Sequence, residues 1–468
     1  MAEQFDIEKE ISEIRDPKAL RVIAYLLEQI KILQEKIAKL ERNSTTSSKP
    51  PSSDITKPLE EQRHPGERKI GGQPRHPGKQ RKIFSPDKVD DTKVLPELEE
   101  CPDCGAKLVS PQEPDEMVQQ TVELQAQPVT VIEYHCPGRW CSRCGKMHYT
   151  PLPAGVIEEQ LCGPRLQALL AYMKGNLGAS YTELQQFCVD VLGFEISRGL
   201  LCQIVARANQ ALEPPYQELE AHIAKETSLN IDESGWYDSG MQYWVWLFCT
   251  PLVAFFSIQR SRGSKVLKQI LGETFAGAII SDFYSAYVKY ASPRQQFCLA
   301  HLIRDIKFIT TLPDAATKEF GTKVLRYFEL LFRHWHARDR SPQAVLIRRC
   351  EKIQRRLFMF LTKAAPPKGA ALTMKKRLIK HWPALFRFVH DPALYQPTNN
   401  AAEQTMRAVV RIRRQTQGTR SLWGRSWCSR ALSVIATCKK QKRSAWKFIA
   451  QAIYAKNFGG DFPSLLPT

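Results

Sequence analysis

Ser228-Leu229-Asn230-Ile231-Asp232-Glu233-Ser234-Gly235-Trp236 is the stretch on which the reading of this chain turns. A short apolar run ends in an acid. Further on, Gly277-Ala278-Ile279-Ile280-Ser281-Asp282-Phe283-Tyr284 repeats that pattern. Between the two, residues 241–249 and 252–258 are aromatic and β-branched, and the turn joining them holds Pro251. They predict a hairpin. Residues 263–271 and 284–290 predict short helices, and 296–299 a final short strand.

The predicted order is β-β-β-α-β-α-β. This is the ribonuclease-H-like arrangement, in which the first and fourth strands lie side by side. Asp232 and Asp282 would then emerge at neighbouring strand ends. A third acid follows in Thr398-Asn399-Asn400-Ala401-Ala402-Glu403. Asn399 or Asn400 suits a helix N-cap, and Glu403 falls in the first turn, on the face that also carries Arg407. Residues 302–390 between them predict helices at 302–312, 315–337, 343–363 and 373–389, a helical insertion that parts the sheet from its last helices.

Each acid has an ordinary alternative. Asp232 fits a strand-end turn, with Glu233 beside it as a rival. Asp282 fits a helix N-cap. Glu403 fits a first-turn glutamate favoured by the helix dipole. Taken together on this strand order, Asp232, Asp282 and Glu403 point to a pair of divalent ions. Oxygen-only ligands favour Mg²⁺ or Mn²⁺ over zinc.

Charge agrees with that reading. The 468 residues carry 67 Lys and Arg against 48 Asp and Glu, a formal charge of +19, which favours a polyanionic partner. Hydrophobic residues make up 43%, enough for a sizeable core. Residues 1–15 are acidic and polar, unlike a secretory signal, and no long apolar run predicts a membrane span. Thirteen cysteines in such a chain suggest reduced thiols and a metal site rather than a disulfide framework. A cytoplasmic, nucleoid-associated protein is expected.

The N-terminal third reads as three parts. Ile23, Leu26, Ile30, Leu33, Ile37 and Leu40 form a heptad seam with Ile at a and Leu at d, which favours a parallel two-stranded coil. A packed amphipathic helix is the alternative. The tract NSTTSSKPPSSD, residues 43–54, reads as a linker. Beyond it, Arg63, Arg68, Lys69, Arg75, Lys79, Arg81 and Lys82 lie in a Gly/Pro-rich segment that can follow a phosphate backbone. Then Cys101-Pro-Asp-Cys104 and Cys141-Ser-Arg-Cys144 offer four thiolates for a structural Zn²⁺. A hairpin at about 118–134 would fill the gap, with Cys136 and His148 as substitute ligands.

Residues 163–175, 180–191 and 198–211 predict helices. Ser180 with Glu183 makes a capping box, Ser197 caps the third helix, and the short Gly-containing turns resemble a helix-turn-helix. At the other end, residues 404–447 hold twelve Lys or Arg and no acid, with Trp423, Trp427 and Trp446 interleaved. Arg407, Arg411, Arg413 and Arg414 are the nearest cations to Glu403. Cations mixed with aromatic faces suit a DNA end; tryptophans in such helices equally serve as core.

The ordered set of zipper, NSTTSSKPPSSD, GGQPRHPG, CPDCG, CSRCG, DESGW, SDFYSAY, CLAHLIRD and TNNAAEQTMR resembles the insertion-sequence-66 family of transposases over nearly the whole chain. The resemblance implies an α/β, ribonuclease-H-like catalytic core of DDE type with a helical insertion. A coiled-coil helix, a zinc-binding module and a helix-turn-helix-like helical domain would precede it. Residue by residue, it places the acidic triad on Asp232, Asp282 and Glu403. It matches Cys298 and His301 to a C-x2-H feature of accessory role, where a zinc would need two more ligands. Metal-dependent strand cleavage and strand transfer on double-stranded DNA, at element ends and at a target, are implied. A homodimer or higher assembly and companion transposition proteins are also expected. Arg75 and Thr398 depart from the family pattern without touching a metal ligand. A DNA-binding regulator with an inactive core and a nuclease of the same fold remain as alternatives.

The expected division is a coiled-coil helix (17–42), a basic linker (43–93), a zinc-binding module (94–155) and a helical DNA-binding domain (160–222). The core follows in two parts (226–300 and 393–456), separated by the insertion (301–392).

Overall fold

The computed structural model describes residues 11, 14–40, 83–95, 98–100, 102–107, 118–125, 128–290, 293–363 and 369–467. Two compact units make up the chain. The larger comprises 1–55, 133–190 and 194–468; the smaller comprises 56–132 and 191–193. The smaller unit holds a short 3₁₀ turn, Pro86–Lys88, and a bridge between Glu100 and Lys107. The seven cations expected between Arg63 and Lys82 lie outside the described residues.

In the larger unit, helix α1 (Pro17–Leu40) buries none of its residues. Strands β1 (Gly138–Cys141) and β2 (Lys146–Tyr149) pair antiparallel around the second cysteine knuckle. The hairpin expected at 118–134 is not found among the described residues of that span. The turn-forming glycine after Cys144, Gly145, has φ +63°, so the reversal occurs at the knuckle itself.

Four helices follow: α2 (Pro164–Tyr172, continued by a π turn, Met173–Leu177), α3 (Tyr181–Asp190), α4 (Arg198–Ala211) and α5 (Glu213–Ile223). The capping box forms reciprocally. Glu183 N–H donates to Ser180 Oγ (3.1 Å), and Ser180 N–H donates to Glu183 Oε2 (2.6 Å). Ser197 caps α4 by accepting from Leu200 N–H.

The sheet is built from β3 (Ser228–Asp238), β4 (Met241–Cys249), β5 (Ala254–Gln259), β6 (Ala278–Ser281) and β7 (Gln295–Phe297), in the order β5-β4-β3-β6-β7. Helices α6 (Lys265–Leu271) and α7 (Ser285–Tyr290) lie between its later strands in sequence. The first three strands are antiparallel, and β6 and β7 join in parallel. The first and fourth sheet strands are therefore neighbours. One expectation needs correction: β3 does not end at Asp232. Pairing with β4 carries it on to Asp238, while the short β6 pairs only as far as Asn230↔Ile280. Asp232 thus stands where the parallel ladder stops.

The insertion comprises α8 (Leu299–Thr310), α9 (Ala315–His336), α10 (Gln343–Lys363), α11 (Gly369–Lys380) and α12 (Arg387–His390), with its own apolar core around Phe328, Leu357 and Phe388. Its end covers the β7 edge: Gln296 donates to Leu385 O and accepts from Phe388 N–H. After it come α13 (Asn400–Thr416), α14 (Leu422–Lys440) and α15 (Ala445–Phe458). At the opposite edge, the β5 amides of Ala254 and Phe256 donate to Thr437 and Ser433, one turn apart on α14. Both sheet edges are thereby covered rather than left to pair with another chain.

Alternation along the strands divides the sheet into two faces. Val245, Leu247 and Cys249 pack with α13 and α14; Trp246 and Phe248 pack with α2, α4, α5 and α15. Helix α13 lies along β3 and runs the same way. Its C-terminal link is a tight strap. Thr419 N–H donates to Tyr237 O, Ser239 N–H donates to Thr419 O, and Trp236 Nε1 donates to Thr419 Oγ1. Gly418 makes this approach possible, with φ +105° and a site where a Cβ would meet Tyr237 O at 2.1 Å. Gly418→Ala is expected to lower stability by about 2–4 kcal/mol, read as a fall in the urea midpoint. Gly424→Ala, where a Cβ meets nothing closer than 3.4 Å, should leave the midpoint unchanged or raise it.

Candidate active site

The even-numbered residues of β3 face α13 and the strap that follows it. Asn230 Nδ2 donates to Asn399 Oδ1 (2.9 Å). Ser234 Oγ accepts from Arg413 (3.1 Å). Trp236 and Asp238 reach Thr419, and Asp238 also pairs with Arg425. Asp232 belongs to this row. Glu233 turns to the other face, where it accepts from Arg262 Nε (2.9 Å) and Nη2 (2.8 Å) and from the Tyr287 hydroxyl. The Arg262 guanidinium lies between the rings of Trp244 and Tyr284. The two adjacent acids therefore have different surroundings: Glu233 is held by a cation and a phenol, Asp232 is not.

Three acids act on Asp232. Burial first, then Glu233, Asp282 and Glu403, push its carboxyl well above the usual carboxylate range, against the Glu233 N–H that donates to its Oδ1 (3.0 Å). Burial and Asp282 likewise raise Glu233 to about 7 despite Tyr287 and Arg262. Asp282 follows β6 directly, and its Oδ1 accepts from Tyr284 N–H (2.8 Å) at the entry to α7. Glu403 lies in the first turn of α13. Its Oε2 is 3.6 Å from Arg304. Its Oε1 is buried without a hydrogen bond, since His301 Nδ1 stands 3.5 Å away. Burial and the negative charge of Glu233, Asp282 and Glu403 thus disfavour the ionised form of Asp232, and one buried Glu403 oxygen has no hydrogen bond. Among the described residues the ligand atoms grouped within 4.8 Å of Glu403 are those of Cys298 and His301, not of the two aspartates.

Asn399 holds this arrangement. It occupies the N-cap position of α13, yet its side chain makes no capping bond. Instead Nδ2 donates to Ile231 O (2.8 Å), and Oδ1 accepts from Asn230. Its own N–H donates to Cys298 Sγ (3.1 Å), and its carbonyl accepts from Glu403 N–H. Cys298 N–H in turn donates to Ser281 O, the residue before Asp282. One buried amide and one buried thiol thereby fix the spacing of β3, β6 and α13. Sequence reading placed Asn399 at the helix start and missed this role, because a cap and a strand clamp draw on the same residue type.

The accessory pair sits at the same place. Cys298, His301 and Glu403 offer ligand atoms within 4.8 Å of one another, and His301 Nδ1 is 3.3 Å from Cys298 Sγ. Burial pushes the Cys298 thiol up to about 11. A second group of this kind is Cys141, Cys144 and His148 on the β1–β2 hairpin, with Cys144 Sγ 3.2 Å from His148 Nε2. Backbone and thiol contacts from Cys144, and the Arg143 amide, lower the Cys141 thiol. Cys101 lies outside the described residues, and Cys104 is an exposed residue of the smaller unit.

The expected cations differ in setting. Arg407, Arg411 and Arg414 are exposed on α13. Arg413 is half-buried and bound to Ser234 and Gly235 O, so it fastens α13 to β3. Among the tryptophans, Trp427 is core, Trp446 packs beside it and donates to Arg165 O, and Trp423 is exposed.

A family model described as "Transposase IS66 family" matches residues 159–426, more than half of the chain. The chain belongs to this transposase family. The match spans Asp232, Asp282 and Glu403 and supports a transposase role, with the DNA binding that the role implies. A second model, a family of unknown function (DUF6444), matches residues 3–82. An uncharacterized protein, y4hP, of Sinorhizobium fredii (strain NBRC 101917 / NGR234) is 24% identical over 394 residues, covering 76% of this chain and 70% of the relative. No helix of the described residues is long and apolar enough to cross a membrane.

Asn399→Ala in this transposase removes a buried amide and leaves the Asn230 side chain and Ile231 carbonyl without it. The expected cost is about 2–4 kcal/mol, read as a fall in the urea unfolding midpoint.

Proposed function

We propose that the chain cleaves and joins DNA strands at element ends, with Asp232, Asp282 and Glu403 as the ligands of Mg²⁺ or Mn²⁺. The observation that carries this is the like-charged setting of Asp232, raised by burial and by the acids around it. Carboxylates that disfavour one another's ionised form favour a divalent ion between them, and the undonated Glu403 Oε1 would offer it an oxygen. Asp232, Asp282 and Glu403 would hold such ions, whose chemistry there would be to polarise a water and offset charge at the phosphodiester.

The chain's own residues do the rest. Asp232 and Asp282 are set by the β3–β6 ladder, and Glu403 is set by Asn399. His301 and Arg304 flank Glu403 on the insertion side. Arg407 and Arg414, further along α13, suit phosphates of the incoming strand. Hydrolysis breaks the phosphorus–3′-oxygen bond and leaves a 3′-hydroxyl. That hydroxyl then loses its proton, attacks a target phosphorus and displaces the target's 3′-oxygen, which takes up a proton. The scheme needs no protein nucleophile, in keeping with the buried, Glu233-bound Tyr287.

The flanking parts complete the reading. We infer a ribonuclease-H-like core in two parts, 226–300 and 393–456, and a helix-turn-helix-like DNA-binding domain at 160–222. A Zn²⁺ module is assigned to 94–155, with Cys101, Cys104, Cys141 and Cys144 as ligands and His148, beside Cys144, as a substitute for one of them. The basic tether of residues 63–82 would track DNA, in a cytoplasmic, nucleoid-associated complex with companion transposition proteins. Helix α1 would pair two copies. Leu26, Ile30, Leu33, Ile37 and Leu40 are each at least half exposed along one seam, which argues for a partner helix.

Three tests follow. Asp232→Asn, Asp282→Asn or Glu403→Gln should lower Mg²⁺-dependent cleavage of a plasmid bearing the element ends by about a thousandfold or more, with end binding retained. A wild type that binds ends but never cuts them overturns the catalytic reading. Purified protein should hold zinc that Cys141→Ser releases, measured by elemental analysis. Leu33→Glu should convert a dimer to a monomer by light scattering; an unchanged mass would remove the zipper.

A further inference from the structure

Trp423 has no place in the three apolar cores, although it stands one turn before the buried Trp427 on α14. It is 37% exposed and lines a cavity of about 1010 Å³ between α14 and the α2–α3 turn. Tyr181 and Lys174 form the facing wall, and Arg420 stands at the strap. The sole acid in the lining, Glu183, is occupied by the Ser180 amide. The cavity is at the upper end of the roughly 300–1,000 Å³ that small ligands occupy.

A line of cations connects this cavity to the acidic site. Arg407, Arg411 and Arg414 follow Glu403 along α13 at intervals of four, four and three, so they share its face. Arg411 reaches Asn176 O in the π turn that borders the cavity. Arg414 lines a second hollow of about 690 Å³ with the half-exposed Tyr237, and the two hollows share Thr416, Gly418, Thr419 and Arg420. No carboxylate lines that second hollow. From Glu403 to Arg414 the helix rises about 16 Å, a span of a few nucleotides of a strand.

We propose that this cavity receives an unstacked base of the DNA strand whose phosphate lies at the acidic site, with the Trp423 indole as its stacking face. The inference rests on the reading of the chain as a transposase acting on DNA. A stacked duplex shows an indole only its backbone and groove edges, whereas an unpaired base offers a flat π-face. Phosphates on either side of that base meet Arg414 and Arg420. Sequence need not matter at this position, because every base has such a face. Holding one base out of the stack fixes the register of the strand on α13 and sets which phosphodiester reaches Asp232, Asp282 and Glu403.

The test uses the full chain, Ca²⁺ in place of Mg²⁺, and duplexes of arbitrary sequence with a short unpaired 3′ tail. One abasic site is stepped along the tailed strand, and affinity is read by fluorescence anisotropy. Wild type should lose about tenfold when the missing base lies at one position a few nucleotides from the strand end, and little elsewhere. Trp423→Ala should bind intact DNA about tenfold more weakly and be indifferent to the abasic position; Trp423→Phe should restore the position dependence. A flat wild-type profile, or an unchanged profile in Trp423→Ala, overturns the base pocket and leaves the cleavage reading standing. Failure of wild type to bind DNA at all overturns both.

Discussion

The contact between β3 and α13 is what the rest of this molecule depends on. Asn230, Asp232, Ser234, Trp236 and Asp238 project from one face of the strand, and the helix with its strap answers each of the four that flank Asp232. The match works because strand and helix run the same way for similar lengths, roughly 26 Å for nine strand residues and 25 Å for 17 helical ones. Fixed at Asn399 and again at Thr419, α13 cannot slide without breaking bonds at both ends. Glu403, one turn inside the first anchor, inherits that precision.

The insertion has a structural part as well as a spacing one. It carries its own apolar core, yet both of its ends return to the sheet. Cys298 leads into α8 and binds Asn399, while the 385–388 turn covers the edge of β7. His301 and Arg304 on α8 thereby stand against Glu403. The insertion supplies neighbours to the third acid as well as separating it from the first two in sequence.

Charge is distributed with the same economy. Glu233, Asp238 and Glu183 are bound by Arg262, Arg425 and the Ser180 amide. Asp232 and one Glu403 oxygen are left with acids and too few donors around them. Arg413 is fastened to β3, while Arg407 and Arg414 point to solvent beside it. The cations of α13 therefore divide into one that builds the site and others available to a phosphate backbone.

The sequence by itself determined the strand order and the helices that separate the sheet from the last helices, because apolar periodicity and turn residues act locally. It also marked Ser180, Glu183 and Ser197 as caps, which the structure bears out. It did not show that Asp232 and Glu233 take opposite faces, ended β3 too early, and placed at 118–134 a hairpin where the structure has one at 138–149. It offered Asn399 or Asn400 as the helix cap, and Asn399 does hold that position, but its clamp on β3 was not foreseen. Only the tertiary structure decided these points. Which face an acid takes depends on the strand's neighbours, how far a strand runs depends on its partner, and a buried amide's bonds are made to residues some 170 positions away. Local pattern carries no record of such distant partners, so the fold was legible and the clamp that aligns the site was not.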